Sequence, residues 1–196
     1  MPTYEQLYYL NLGSLGAAAD SWEEAAAGFA GLYTSYGDQV VGPFRQADWT
    51  QPAETAAKAD RDMAASQQQF ESAYREAKGI ASALASLHAE LKSAKDYLHQ
   101  LADVEAPEQG LHITADGTVT PRDDLAQNAA TLLDPFGLAA ISAQRDLCES
   151  FAGAIESTLR RAAEADDAAC RGLRGLVGDG DTFRTADDRN DTGAGG

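Results

Sequence analysis

Between Met63 and Leu101 the chain repeats its apolar residues in sevens. Met63, Phe70, Ala77, Leu84, Leu91 and Leu98 hold one heptad position, and Ala73, Ile80, Leu87, Ala94 and Leu101 hold the position three residues later. Steps of three and four place all of these on one face of an α-helix, whereas a strand of period two would scatter them over both faces. A single helix therefore runs from the turn Asp48-Trp49-Thr50-Gln51-Pro52 to about Val104, with Thr50 as its N-cap and Pro52 in its first turn, where a missing N–H costs nothing. Such a helix is roughly 75 Å long at 1.5 Å per residue, so its apolar face needs more than one partner.

The preceding stretch supplies the first. Thr3 and Gln6 form a capping box for a short helix through Leu10, and Asn11 to Gly13 interrupt it. Ser14 then caps a long helix in which Leu15, Trp22, Phe29 and Tyr36 recur every seven residues, with Ala18, Ala25 and Leu32 between them. Gly37 and Pro43 mark where that pattern weakens. Trp22, at a seam position, is expected in the core, and Trp49 is expected either to fill the end of the hairpin or to anchor a partner.

After Val104, Pro107 to Gly110 break the helix. Leu111 to Thr120 then alternate around Asp116-Gly117, a strong short-range hairpin signal. Asp123 or Asp124 caps a short helix to Leu133, and Asp134-Pro135-Phe136-Gly137 breaks it. A last long helix carries Ile141, Cys148, Phe151, Ile155, Leu159, Ala162, Ala169, Leu173 and Leu176, an apolar stripe able to cover the distal half of the second helix. Beyond Gly178 the chain is rich in Gly, Asp and Thr and reads as a disordered tail or linker. The expected fold is all-α: an elongated antiparallel helical hairpin or bundle with a small β-hairpin insert. Its segments are 1–106 (hairpin), 107–122 (β-hairpin insert), 123–178 (closing helices) and 179–196 (tail).

Charge and composition narrow the function. Across 196 residues, 31 Asp and Glu stand against 15 Lys and Arg, a formal net charge of -16, which repels nucleic acid and anionic membrane. The start, Met1-Pro2-Thr3-Tyr4-Glu5-Gln6, has no basic stretch followed by an apolar run, so no Sec-type signal is expected, and no segment is apolar for long enough to span a bilayer. Cys148 and Cys170 fall on one helix, roughly 33 Å apart, too far to pair.

Catalytic chemistry finds no foothold. Asp96-x-x-His99 and Asp103 put two carboxylates near one imidazole on a helix face, but a di-iron bundle needs a second such motif and two further inward glutamates. The other histidines are His88, roughly 16 Å along the same helix, and His112 in the hairpin. Asp179-x-Asp181 begins like a calcium loop, yet Phe183 and Arg184 stand where an oxygen ligand and the turn glycine belong. There is no nucleophile elbow and no phosphate-cradling glycine loop. No catalytic residue, metal or cofactor is expected.

A tryptophan in the tight turn between two long amphipathic helices resembles the WXG family of type VII secretion proteins. Tyr4-x-Gln6-Leu7, Leu12, Leu15, Ala18-Ala19 and Trp22, then Val41-x-Pro43, Trp49 and Ala56-Ala57, look like the helical-hairpin domain of many actinobacterial proteins of that superfamily. Asp116 to Val119 and the string Ile155, Leu159, Ala163, Asp167 and Leu173 look like the hairpin and closing helix of its longer forms. Gln51 stands where the family motif has glycine, and no tyrosine is followed four residues later by the Asp or Glu of the family's export signal.

The resemblance implies a non-enzymatic module that binds a WXG-like protein, the secretion machinery or a toxin, or that self-associates, in the cytoplasm or exported by a type VII-like route. A cytoplasmic chaperone or immunity-type partner is the alternative, and a targeting module of a longer effector a further one. The residues expected to carry binding are Trp49, Thr50 and Gln51 in the turn and Leu15, Trp22, Phe29, Met63, Phe70, Leu84 and Leu91 along the seams.

Overall fold

A computed structural model describes residues 1–47, 49–50, 52–127 and 135–177. The expectations for Gln51, for the helix through Leu133, for Asp179 and Asp181 and for the tail fall outside these residues. Helices dominate: α1 (Tyr4–Tyr8), α2 (Gly13–Tyr36), a π-helical turn (Gly37–Val41), α3 (Gly42–Gln46), α4 (Ala53–His99), a second π-helical turn (Gln100–Glu105), α5 (Ala106–Glu108) and α6 (Pro135–Val177). Strands β1 (Leu111–Ile113) and β2 (Val119–Pro121) pair antiparallel, Leu111 with Pro121 and Ile113 with Val119. The all-α class with a small β insert is what the periodicities demanded.

Local chemistry explains the boundaries. Thr3 and Gln6 complete the expected capping box, with the Gln6 N–H donating to Thr3 Oγ1 at 3.2 Å and the Thr3 N–H to Gln6 Oε1 at 3.0 Å. That helix ends at Tyr8, short of Leu10. Asn11, not Ser14, opens α2: its Oδ1 accepts the Gly13 N–H at 2.9 Å, one residue before the expected cap. Thr50 is not the cap of α4 either. That helix begins at Ala53, and the Pro52 carbonyl accepts from Thr55 at 3.1 Å and Ala56 at 3.0 Å. Pro135 to Gly137 form the first turn of α6, a position at which proline needs no N–H partner.

The two π-helical turns have a common cause. Each ends two residues before a proline, Pro43 after Val41 and Pro107 after Glu105. A proline inside a helix lacks its N–H and its ring strikes the carbonyl four residues back. Widening the turn, with Gly42 donating to Gly37 and Ala106 to Leu101 five residues back, lets each helix continue through its proline.

The described residues pack into two compact units, one from Met1–Ser14 and Ser86–Ala169, the other from Leu15–Ala85 and the end of α6 from Cys170 to Val177. The first unit holds one closed core. Tyr4 and Leu7 of α1, Ala94 and Leu98 of α4, Leu101 and Ala106 just beyond it, Leu111 and Ile113 of the hairpin, and Phe151, Ile155 and Ala162 of α6 are all at most 9% exposed. Thr158, buried among them, donates its hydroxyl to the Ala154 carbonyl at 2.8 Å. The hairpin turn carries Gly117 at φ 90°, a left-handed conformation that favours glycine, and a Cβ there would lie 2.7 Å from Tyr4 Cβ. Sequence-remote α1 thus docks against the turn only because that residue has no side chain.

The second unit is a helical hairpin. Glu23 pairs with Lys78, and the rings of Tyr36 and Phe70 meet edge to face with centroids 5.6 Å apart, so α2 and this part of α4 run antiparallel. Ala19, Ala26, Met63, Ala77, Ile80 and Ala81 are buried along the contact. Leu176 of α6 seats on Gly79, where a Cβ would come within 2.8 Å of its Cδ2.

Candidate interaction surface on the helical hairpin

Of the two stripes on α2, the one that reaches the core is not the one its heptads announce. Ala19 and Ala26, four residues after Leu15 and Trp22, are 8% and 1% exposed, whereas Trp22 is 40% and Leu32 51% exposed. The expectation that Trp22 belongs to the core is therefore corrected. With Ala19 and Ala26 buried, Trp22 and Leu32 are left on the flank of the hairpin, while Tyr36 packs on Phe70 of α4. Leu15, Phe29 and Tyr36 belong to both stripes and are half-buried. Tyr33 and Val40 also project into solvent.

On α4 the seam behaves as its period requires: Met63 is buried, Phe70 and Leu84 are half-buried in the hairpin unit, and Leu91 is half-buried against the core of the other unit. None of these four stands free in water. At the turn, Trp49 is 44% exposed and its ring meets Phe44 edge-on, 5.7 Å between centroids. Thr50 is exposed beside it. The indole thus leans on one aromatic neighbour and keeps nearly half its surface available. Sequence reading missed Tyr33 and Phe44; the pairing of Ala19 with Ala26, small residues seven apart, was the signal for the stripe that packs.

The carboxylates and imidazole on α4 serve a different end. Asp96 turns to Lys92, Oδ2 to Nζ at 2.5 Å, while Asp103 takes two donors: the Tyr8 hydroxyl at 2.7 Å on Oδ1 and His99 Nδ1 at 2.9 Å on Oδ2. The other ring nitrogen of His99 lies 3.2 Å from the Tyr8 carbonyl, and Lys95 donates to the Leu10 carbonyl at 2.9 Å. The Lys95 ammonium thus satisfies a carbonyl just past the C-terminal end of α1.

The same contacts set the acidities. Hydrogen bonds from Tyr8 and then His99 hold the Asp103 carboxyl below its usual range, the Lys92 hydrogen bond does the same for Asp96, and burial raises the Tyr4 phenol to about 12. Tyr8 is raised too, first by burial and then by Asp103. The set is a latch for α1, and Tyr8, its key member, carries no local sequence signal because it lies 95 residues from Asp103. Asp96, His99 and Asp103 do not converge on one point, and among the described residues no group of three His, Cys, Asp or Glu is placed to hold a metal ion.

Among the described residues no helix is long and apolar enough to cross a membrane. Comparison with protein-family models, with curated proteins and with solved structures finds no match for this chain.

Proposed function

We propose that this chain is a non-enzymatic helical interaction module, resembling the WXG proteins of type VII secretion, and that the Trp22 to Tyr36 stripe of α2 binds a helical partner or a helical element of the secretion machinery. One observation carries the reading: on a helix whose buried residues are alanines, Trp22 and Leu32 remain 40% and 51% exposed. Single exposed apolar residues are ordinary, but these two bracket half-buried Phe29 in a row, and contiguous apolar surface marks an interaction site. A helix apolar on two adjacent stripes is built for two neighbours, and on the Trp22 stripe Tyr36 packs on Phe70 of α4 while Trp22 and Leu32 stay exposed.

The test is recovery of a partner on the purified full-length chain from its native host, compared with Leu32→Ser and Trp49→Ala. Both variants are expected to keep their helical circular dichroism and lose at least most of the partner. Unchanged recovery with Leu32→Ser removes the assignment of this face.

A second reading, a chaperone or immunity-type partner that stays in the cell, is favoured by a separate observation. The residue four after Tyr74, where the family's export signal has an acid, is Lys78, and it is engaged in an ion pair with Glu23. Detection of the chain in culture medium with and without the secretion ATPase separates the two: ATPase-dependent export supports the first reading, and retention in both strains supports the second.

A further inference from the structure

The charge around the exposed stripe of α2 says what its partner carries. Between Leu15 and Ala85 ten Asp and Glu stand against five Lys and Arg, and α2 itself has Asp20, Glu23 and Glu24 with no base at all. Three of the five bases are already committed: Lys58 to Asp62, Arg75 to Glu71, and Lys78 to Glu23. Among the described residues neither Asp20 nor Glu24 has a cationic partner.

The helical period places Glu24 beyond the outer edge of the Ala25 and Leu32 positions, separated from them by Ser21 and Gly28, at 100° per residue. Those two small residues leave a low ledge that a long cationic side chain from a neighbouring helix can cross with its stem on apolar surface and its charge at the Glu24 carboxylate. A second copy of this chain would bring the same acids, Asp20 and Glu24, on a helix without a base, so pairing two such faces sets like charge against like.

We infer that the stripe takes an amphipathic helix whose apolar ridge is flanked by Lys or Arg, and not a second copy of this chain. The inference rests on the proposed function above and adds the chemistry of the partner. Apolar contact supplies the adhesion; the flanking bases choose the partner and set its orientation.

Two synthetic amphipathic helical peptides with the same Leu ridge, one flanked by Lys and one by Glu, are titrated against the intact chain and read by anisotropy of a label on the peptide. The Lys peptide is expected to bind about tenfold tighter or more at low salt, with the gap closing near 1 M salt, where screening acts within about 3 Å. Glu24→Lys is expected to narrow the gap and Leu32→Asp to abolish binding of both peptides. Glu164→Lys, an acid of α6 in the other unit, serves as control and is expected to change neither.

Equal affinity for the two peptides overturns the inference and leaves the proposed face standing. Binding that Leu32→Asp does not weaken overturns the face itself. An equal loss with Glu164→Lys reduces the effect to general attraction toward an acidic protein and also overturns the inference, as does a concentration-dependent dimer in sedimentation that Leu32→Asp dissolves.

Discussion

One unit of this protein buries leucines; in the other, α2 buries alanines and leaves larger side chains in water. Around α1, the hairpin and the middle of α6, Leu7, Leu98 and Leu111 are each at most 1% exposed. Along α2 the buried positions are Ala19 and Ala26, and Trp22, Leu32 and Tyr33 are at least 40% exposed. Large residues enclosed on all sides contribute the most stability, roughly 1.5 to 3 kcal/mol each for a leucine. Large residues left on a flank contribute little to folding and are free for recognition. The first unit is therefore expected to be the more stable, and the second to leave apolar surface free on α2.

Four substitutions or conditions sharpen or break that contrast. The largest effect is expected at Leu98→Ala, which leaves a cavity where nothing is exposed and costs about 3 kcal/mol in denaturant unfolding, against about 0.5 kcal/mol or less for Leu32→Ser. Equal losses at the two positions would mean that the α2 flank is part of a core after all.

Next comes Gly117→Ala. The added methyl group meets Tyr4 in a left-handed backbone, for a loss of about 2 kcal/mol. Part of that loss returns in the Tyr4→Ala background, because the clash then has no partner. A loss that is the same in both backgrounds removes Tyr4 from the account.

Alkaline pH is expected to act through the first unit. Tyr4 has a folded pKa raised to about 12, so folding favours its neutral phenol. That stability is fully present below the unfolded value near 10 and is lost as pH rises toward 12. Asp103 works in the opposite sense: its pKa is lowered, so its contribution is present above about 3.9 and disappears as pH falls through the folded value. Melting curves of Tyr4→Phe should flatten the alkaline limb and those of Tyr8→Phe both limbs, the acid one through Asp103; limbs identical to the parent's contradict the assignment. A small change in stability, under about 1 kcal/mol, is expected for Trp49→Ala, whose ring meets Phe44 edge-on.

How far the sequence carried the fold depends on how local each signal was. The α4 stripe was legible in full because a heptad kept over five turns or more allows only one face to be apolar, and every one of its eleven positions is buried or half-buried. The Asp-Gly turn and the Thr3–Gln6 capping box were equally local, and both formed. The starts of α2 and α4 moved by two residues each, to Gly13 and Ala53, because Asn11 and Pro52 compete with Ser14 and Thr50 for the first turn. The candidate face was legible as a set of residues but not as a surface.

What the sequence determined alone is the class of fold, the long apolar stripe and the acidic exterior, since each follows from periodicity or from a count of charges. Which of the two α2 stripes packs, that Tyr8 closes on Asp103, and that Gly117 makes room for Tyr4 were decided only in three dimensions. An α2 stripe built on Trp22 and one built on Ala19 are both regular at helical spacing. Choosing between them depends on how closely the α4 backbone can approach, a property of two helices together that neither holds by itself.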